Sequence, residues 1–285
     1  MMKNKGIFLT VLSALIYGFT PVLCSITYNY GNNALTLTFF RSLLIIPLLI
    51  VLMIVNKIDF KCDHHELLRI IFVGLFGSVF TTLLLYSSYR YIGVGTSTTL
   101  HFMYPLFVTL LCHFVFHDKL SKIQIIALGI ALSGVFCFID INDLVKIKGI
   151  IMALVSGFTF SLYLVGIEKL NLAKMNNYKL SLYLAITVCV SLFIFGSITD
   201  QFVFDQSIIS YGLMLVIAFL AQFVAVICLK MGIEYLGSSL ASMFSMFEPV
   251  SSVVFGCLFL NESITFIKMI GCILILSGVL LLIKK

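Results

Sequence analysis

The chain has 285 residues, 61% of them hydrophobic and only 11% charged, with a formal net charge of +6. Soluble domains average about 25% charged residues, and a mean hydropathy of +1.16 lies far outside their range. The composition therefore specifies a multi-pass membrane protein, leaves no room for a sizeable soluble domain, and makes the positive balance a report of membrane orientation rather than of nucleic-acid binding.

About 20 apolar residues in helical form cross the hydrocarbon. Ten such runs follow one another: 6–27, 34–55, 67–89, 94–115, 121–139, 148–167, 178–199, 209–230, 237–260 and 264–283. They are continuous rather than alternating, so helices satisfy the backbone in lipid. The first run resembles a signal peptide at its start, but it is too long and lacks a clean cleavage site, and it is read as a retained helix. The longest connection, 56–66 (NKIDFKCDHHE), is strongly polar; His64 and His65 beside Cys62 are read as a solvated loop. With the N-terminus in the cytoplasm, thirteen of the 18 Lys and Arg residues fall on the inner side. That bias places a cell-membrane protein with both termini cytoplasmic and an even number of spans.

The eight cysteines form no C-x-x-C or zinc spacing, and all but Cys62 lie in apolar runs; most serve as small apolar residues. No P-loop, H-E-x-x-H or G-x-S-x-G is present, so no enzyme, no ATP-driven cycle, no metal and no cofactor is expected.

Residues 90–139 align without a gap on 234–283: Tyr91 meets Tyr235, Gly93 meets Gly237, Pro105 meets Pro249, Asp118 meets Glu262, and Leu132–Val135 (LSGV) meets Leu276–Val279. The first helices match at a similar offset, with Lys5–Ile7 against Lys148–Ile150 and Ser13 against Ser156. The expected domains are 1–143 and 144–285, each a five-helix repeat. Five is odd, so the second half enters the membrane from the opposite side. Inverted repeats accompany alternating access around a midplane site.

The segments YIGVGTSTTLHFMYPLFVTLLCHFVFHDKLSKIQIIALGIALSGV and YLGSSLASMFSMFEPVSSVVFGCLFLNESITFIKMIGCILILSGV resemble the two halves of an EamA-type carrier of the drug/metabolite transporter superfamily. Arg41 in FFRSLLIIPLL resembles the arginine common near the start of that family's second helix. The resemblance implies an all-α basket of ten helices. It places a cavity between helices 1, 3, 4, 6, 8 and 9, with helices 5 and 10 peripheral. It also implies a small-molecule cargo drawn from amino acids, amines, nucleosides, sugar phosphates or drugs, often moved outward. One departure is that Tyr104–Pro105 stands in the first half where Glu248–Pro249 stands in the second.

Helical spacing puts Ser97, His101, Tyr104 and Val108 on one face of helix 4, and Ala241, Ser245, Glu248 and Ser252 on the aligned face of helix 9. Both faces are expected to look into the cavity. A carboxylate at mid-membrane costs roughly 2.5–3.5 kcal/mol on insertion scales. Glu248 is therefore a site for a cationic group, a proton-exchange site, or a structural polar link. Tyr17 and Tyr163 on helices 1 and 6, Tyr86 on helix 3 and Gln222 on helix 8 complete the candidate substrate set with Ser97, His101, Tyr104, Ser245 and Glu248. Pro105, Pro249, Gly93 and Gly237 are candidate hinges, with packing as the alternative. Arg41 and Arg90 on the outer side, and Lys230 and Glu234 on the inner, suit either gating ion pairs or snorkelling. The reading is a secondary carrier exporting a small polar or amphipathic metabolite, with amino acids or amines favoured. Membrane lipid surrounds it, protons are a candidate second ligand, and nucleic acid is no partner. A lipid-linked flippase and a non-transporting scaffold subunit are the alternatives; the sequence does not specify an oligomeric state.

Overall fold

The computed structural model describes residues 2–137, 146–260 and 265–283, apart from the side chains of 89, 90 and 93–95. Among the described residues the protein is all helical. Nine helices among the described residues are long and apolar enough to cross a membrane: α1 Met2–Asn29, α2 Ala34–Val55, α3 His64–Ser88, α4 Thr96–Val115, α6 Ile147–Lys169, α7 Asn177–Thr199, α8 Ile208–Leu236, α9 Ser238–Leu260 and α10 Phe266–Ile283. A shorter helix, α5 Lys122–Phe136, lies between them. The ten elements match the ten apolar runs.

Several starts are written locally. Asn33 accepts from Thr36 N at 2.8 Å ahead of α2, and Asn176 accepts from Tyr178 N at 2.9 Å ahead of α7. Ser121 and Gln124 form a reciprocal capping box ahead of α5. Each gives a polar acceptor to a backbone donor that the helix leaves unpaired. The polar 56–66 connection proves part helical: Asp63 caps α3 and both histidines lie in its first turn.

One boundary differs from expectation. The sequence suggests a break between runs 67–89 and 94–115, whereas helical bonding runs through Thr81–His101. A lipid-embedded backbone gains by keeping its hydrogen bonds internal even where it bends. The direction of the chain still reverses there, as its contacts with α6 reveal. Gly77 packs on Tyr163, and Tyr91 and Ile92 on Gly149. The return leg then climbs α6 again, with His101 beside Ser156, Tyr104 against Phe160 and Asp118 at Lys169.

Contacts between the halves come in exchanged pairs at the offset of the repeat. A Cβ at Gly6 would stand 2.8 Å from Tyr235 Cβ, and one at Gly149 would stand 2.6 Å from Tyr91 Cβ. Lys5 lies 5.5 Å over the Tyr235 ring, and Lys148 lies 5.0 Å over the Tyr91 ring. A Cβ at Gly134 would meet Gly271 O at 2.6 Å, and one at Gly278 would meet Ala127 O at 2.6 Å. Glycine at these positions lets backbones approach where van der Waals packing, not water exclusion, holds helices together. The last pair joins α5 to α10 away from the centre, while α1 packs on α8 and α9 and α6 packs on α3 and α4.

Helices α4 and α9 are broken at matching places. A turn at Phe102–Met103 precedes the segment Tyr104–Leu110, and a turn at Ser245–Met246 precedes Phe247–Leu260. Pro105 and Pro249 stand in the first turn of each lower segment, where a missing N–H costs least. Gly237 joins α8 to α9 at φ +79, a left-handed conformation that favours glycine. Gly93 lies within the helical stretch Thr81–His101, but its surroundings fall outside the described residues.

Candidate functional site

Between the halves lies a cavity of about 170 Å³. From the first half it is lined by Tyr17 of α1, Arg41 of α2, Ser78, Thr81 and Tyr86 of α3, and His101 of α4. The second half contributes Phe160 and Tyr163 of α6, Leu184 of α7, Gln222 and Val226 of α8, and Glu248 of α9. Helices α2 and α7 thus join the six implied by the resemblance, and α5 and α10 contribute nothing to the lining.

Six of the nine candidate substrate residues, Glu248, His101, Tyr17, Tyr163, Tyr86 and Gln222, line this cavity. Tyr104, Ser245 and Ser97 do not. Tyr104 is 1% exposed and packs edge-on against Phe160 at 4.9 Å. Ser245 is 5% exposed, and its Oγ donates to Ala241 O at 3.0 Å. Ser97 is fully buried, and its Oγ has no hydrogen-bond partner among the described residues. The one-face argument assumes a continuous helix. The turn at Phe102–Met103 ends that continuity, so His101 stays at the cavity while Tyr104 goes into the α4–α6 core.

Local geometry fixes the polar groups. His101 Nδ1 lies 3.0 Å from Ser156 Oγ, and its ring sits 5.4 Å from that of Phe160. Phe160 stacks on Tyr163 at 5.8 Å, and Thr81 Oγ1 meets Thr159 Oγ1 at 2.7 Å. Glu248 sits just below the α9 turn, its N–H donating to Ser245 O at 2.9 Å and its carbonyl accepting from Ser251 Oγ at 2.9 Å. Gly18 presses α1 onto that turn, since a Cβ there would come within 2.7 Å of Glu248 O. These bonds hold the backbone and leave the carboxylate to the cavity.

Two features of the site were not read from sequence. The first is π-helical winding in α3 (Leu75–Phe80) and α8 (Ala218–Ala225), at equivalent places in the two repeats. Such bulges concentrate at functional sites, and here they aim Ser78 and Gln222 inward. The second is Arg41, expected at the outer surface and found in the cavity wall. A lone arginine seven residues into an apolar run was the available signal, since intramembrane charges seldom lack a role.

A second cavity of about 300 Å³ adjoins the first, sharing Thr82 and Tyr86. It reaches the end of the molecule away from the N-terminus, where Asn33, Ala34 and Gln201 line it. The N-terminal end carries ion pairs instead. Lys169 Nζ contacts Asp118 Oδ2 at 2.6 Å and Glu168 Oε1 at 3.0 Å, and Glu168 Oε2 accepts from Ser238 N. Lys230, 5% exposed, donates to Met175 O and Asn177 Oδ1 at 2.6 Å each and lies 3.6 Å from Glu234. The expected equivalence of Glu234 with Arg90 is untouched by this, because the Arg90 side chain is outside the described residues. His113 and His117 lie at this end, clear of the cavity. No cluster of three metal-ligating side chains occurs among the described residues.

Comparisons with known proteins agree with this architecture. The family model described as "EamA-like transporter family" matches twice, over residues 4–139 and 147–284. The protein named "Uncharacterized transporter YoaV" from Bacillus subtilis (strain 168) is 26% identical over 251 residues, covering 82% of this chain and 81% of its own length. A solved crystal structure at 14% identity superposes with a TM-score of 0.83, covering 98% of this chain and 96% of that one, which shows a shared fold.

Proposed function

Because the chain belongs to the EamA-like transporter family, we propose that this transporter is a secondary carrier that moves a small polar or amphipathic metabolite, an amino acid or amine first, by alternating access. The observation that carries the reading is the cavity itself: both repeats line it, and Glu248 stands in its wall and joins none of the ion pairs found among the described residues. Two halves related by exchanged contacts (Gly6 with Tyr235, Gly149 with Tyr91) can trade conformations at similar energy. One end is latched by ion pairs while the other holds a second cavity beside the site, as one half-cycle requires. The Lys and Arg bias supports a cytoplasmic position for the latched end, and export rests on the family resemblance. A volume of about 170 Å³ is on the order of six waters, which suits a metabolite better than a lipid headgroup with its tails.

The test is counterflow of radiolabelled amino acids and amines in proteoliposomes of the purified protein. Saturable exchange that falls at least tenfold in Glu248→Gln, at unchanged protein content, is expected. Absence of exchange for every compound would sink the carrier reading, and full activity of Glu248→Gln would remove that residue from the site.

A further inference from the structure

The cavity wall holds one cation and one anion, Arg41 and Glu248, and its other side chains are uncharged. Both charges belong to none of the ion pairs found among the described residues, which lie at the N-terminal end. Arg41 Nε is buried with no hydrogen-bond partner among the described residues. Arginine stays protonated in proteins, so this charge is present in every state of the site. A buried charge is tolerated when paired, and here the two opposite charges face a common space instead of each other.

The pairing can be completed by a ligand that carries both complementary groups. A simple amine would satisfy Glu248 and leave Arg41 desolvated; a simple carboxylate would do the reverse. The rings of Tyr17, Phe160 and Tyr163 supply an aromatic surface in the same wall. Building on the carrier reading above, we infer that the site is a two-pole receptor for a small zwitterion, its carboxylate held by Arg41 and its ammonium by Glu248. Arg41 is then a specificity residue that rejects amines lacking a carboxylate.

The experiment uses full-length purified protein and two matched sets of probes. These are phenylalanine with phenethylamine and hydrocinnamate, and leucine with isoamylamine and isocaproate. Affinities come from thermal-shift titrations of the wild type, Arg41→Gln, Arg41→Lys and Glu248→Gln. The wild type is expected to bind at least one amino acid about thirtyfold more tightly than its matched amine or acid, the factor for leaving a buried charge unpaired. Arg41→Gln should lose that margin over the amine, Glu248→Gln should lose it over the acid, and Arg41→Lys should keep most of it. A variant that still binds amine or acid is folded. The inference is overturned if the wild type binds neither amino acid, if it prefers amine or acid, or if Arg41→Gln leaves the preference intact. Counterflow of the same compounds separates this from the carrier reading. Exchange of an amine alone removes the zwitterion site and keeps the carrier; the predicted binding pattern with no exchange of any compound does the opposite.

Discussion

At the N-terminal end, Lys230 reaches across to the turn before α7 and takes Met175 O and Asn177 Oδ1. At the other end the repeat places Tyr86 where Lys230 stands, and Asn32 and Ala34 where Met175 and Asn177 stand. There Tyr86 and Ala34 line an open cavity. Equivalent helices of the two repeats are thus joined through an ammonium at one end and flank a cavity at the other. The difference lies in side chains: a buried ammonium with three donors against a phenol, and the acid pair Asp118 and Glu168 around Lys169. A symmetric scaffold can therefore rest in an asymmetric state, with its bias written at a few positions.

Lys230→Met should weaken the latch most. It strips two short charged hydrogen bonds from a buried position, worth about 3 kcal/mol together, and should lower Tm by roughly 6–12 °C. Tyr86→Phe removes one neutral hydroxyl and should lower Tm by less than half as much, and equal losses at the two ends would erase the contrast. Glu168→Gln comes next. It takes the charge from the bond to Ser238 N and from the contact with Lys169, about 1.4 kcal/mol or a tenfold shift in opening. Cys112 reports it, being fully buried with Sγ 3.3 Å from Ser238 Oγ; its alkylation, followed by peptide mass spectrometry, should accelerate about tenfold. Asn33→Ala, which removes a cap and the bond to Gln201 O at 2.7 Å, should cost about 1 kcal/mol and leave Cys112 unchanged within about twofold. Smallest is salt. Lys169 and Asp118 are 18% and 39% exposed, so raising ionic strength should quicken Cys112 labelling by no more than about threefold.

Much of the scaffold is legible from residues alone. Apolar run length gives the helices, Asn33, Asp63, Ser121 and Asn176 mark starts, and the aligned prolines and LSGV runs give two halves. The site is legible only in part, because face arguments fail wherever winding changes. His101 and Glu248 adjoin turns and keep their place, Tyr104 and Ser245 turn into the core, and the π-helical stretches of α3 and α8 leave no mark in a small-residue apolar sequence. Arg41 was visible as a charge in an apolar run, but its depth and direction depend on how α2 packs, which no local pattern encodes.

The most direct test of exchange between the two ends is paired labelling of Cys112 and of a cysteine introduced at Leu83, in the open cavity. Rates are compared in otherwise wild-type protein and with Glu168→Gln. Alternating access predicts opposite changes, with Cys112 faster and Leu83→Cys slower by similar factors. Rates that rise together would mean the latch only holds the helices tight, and would contradict the account.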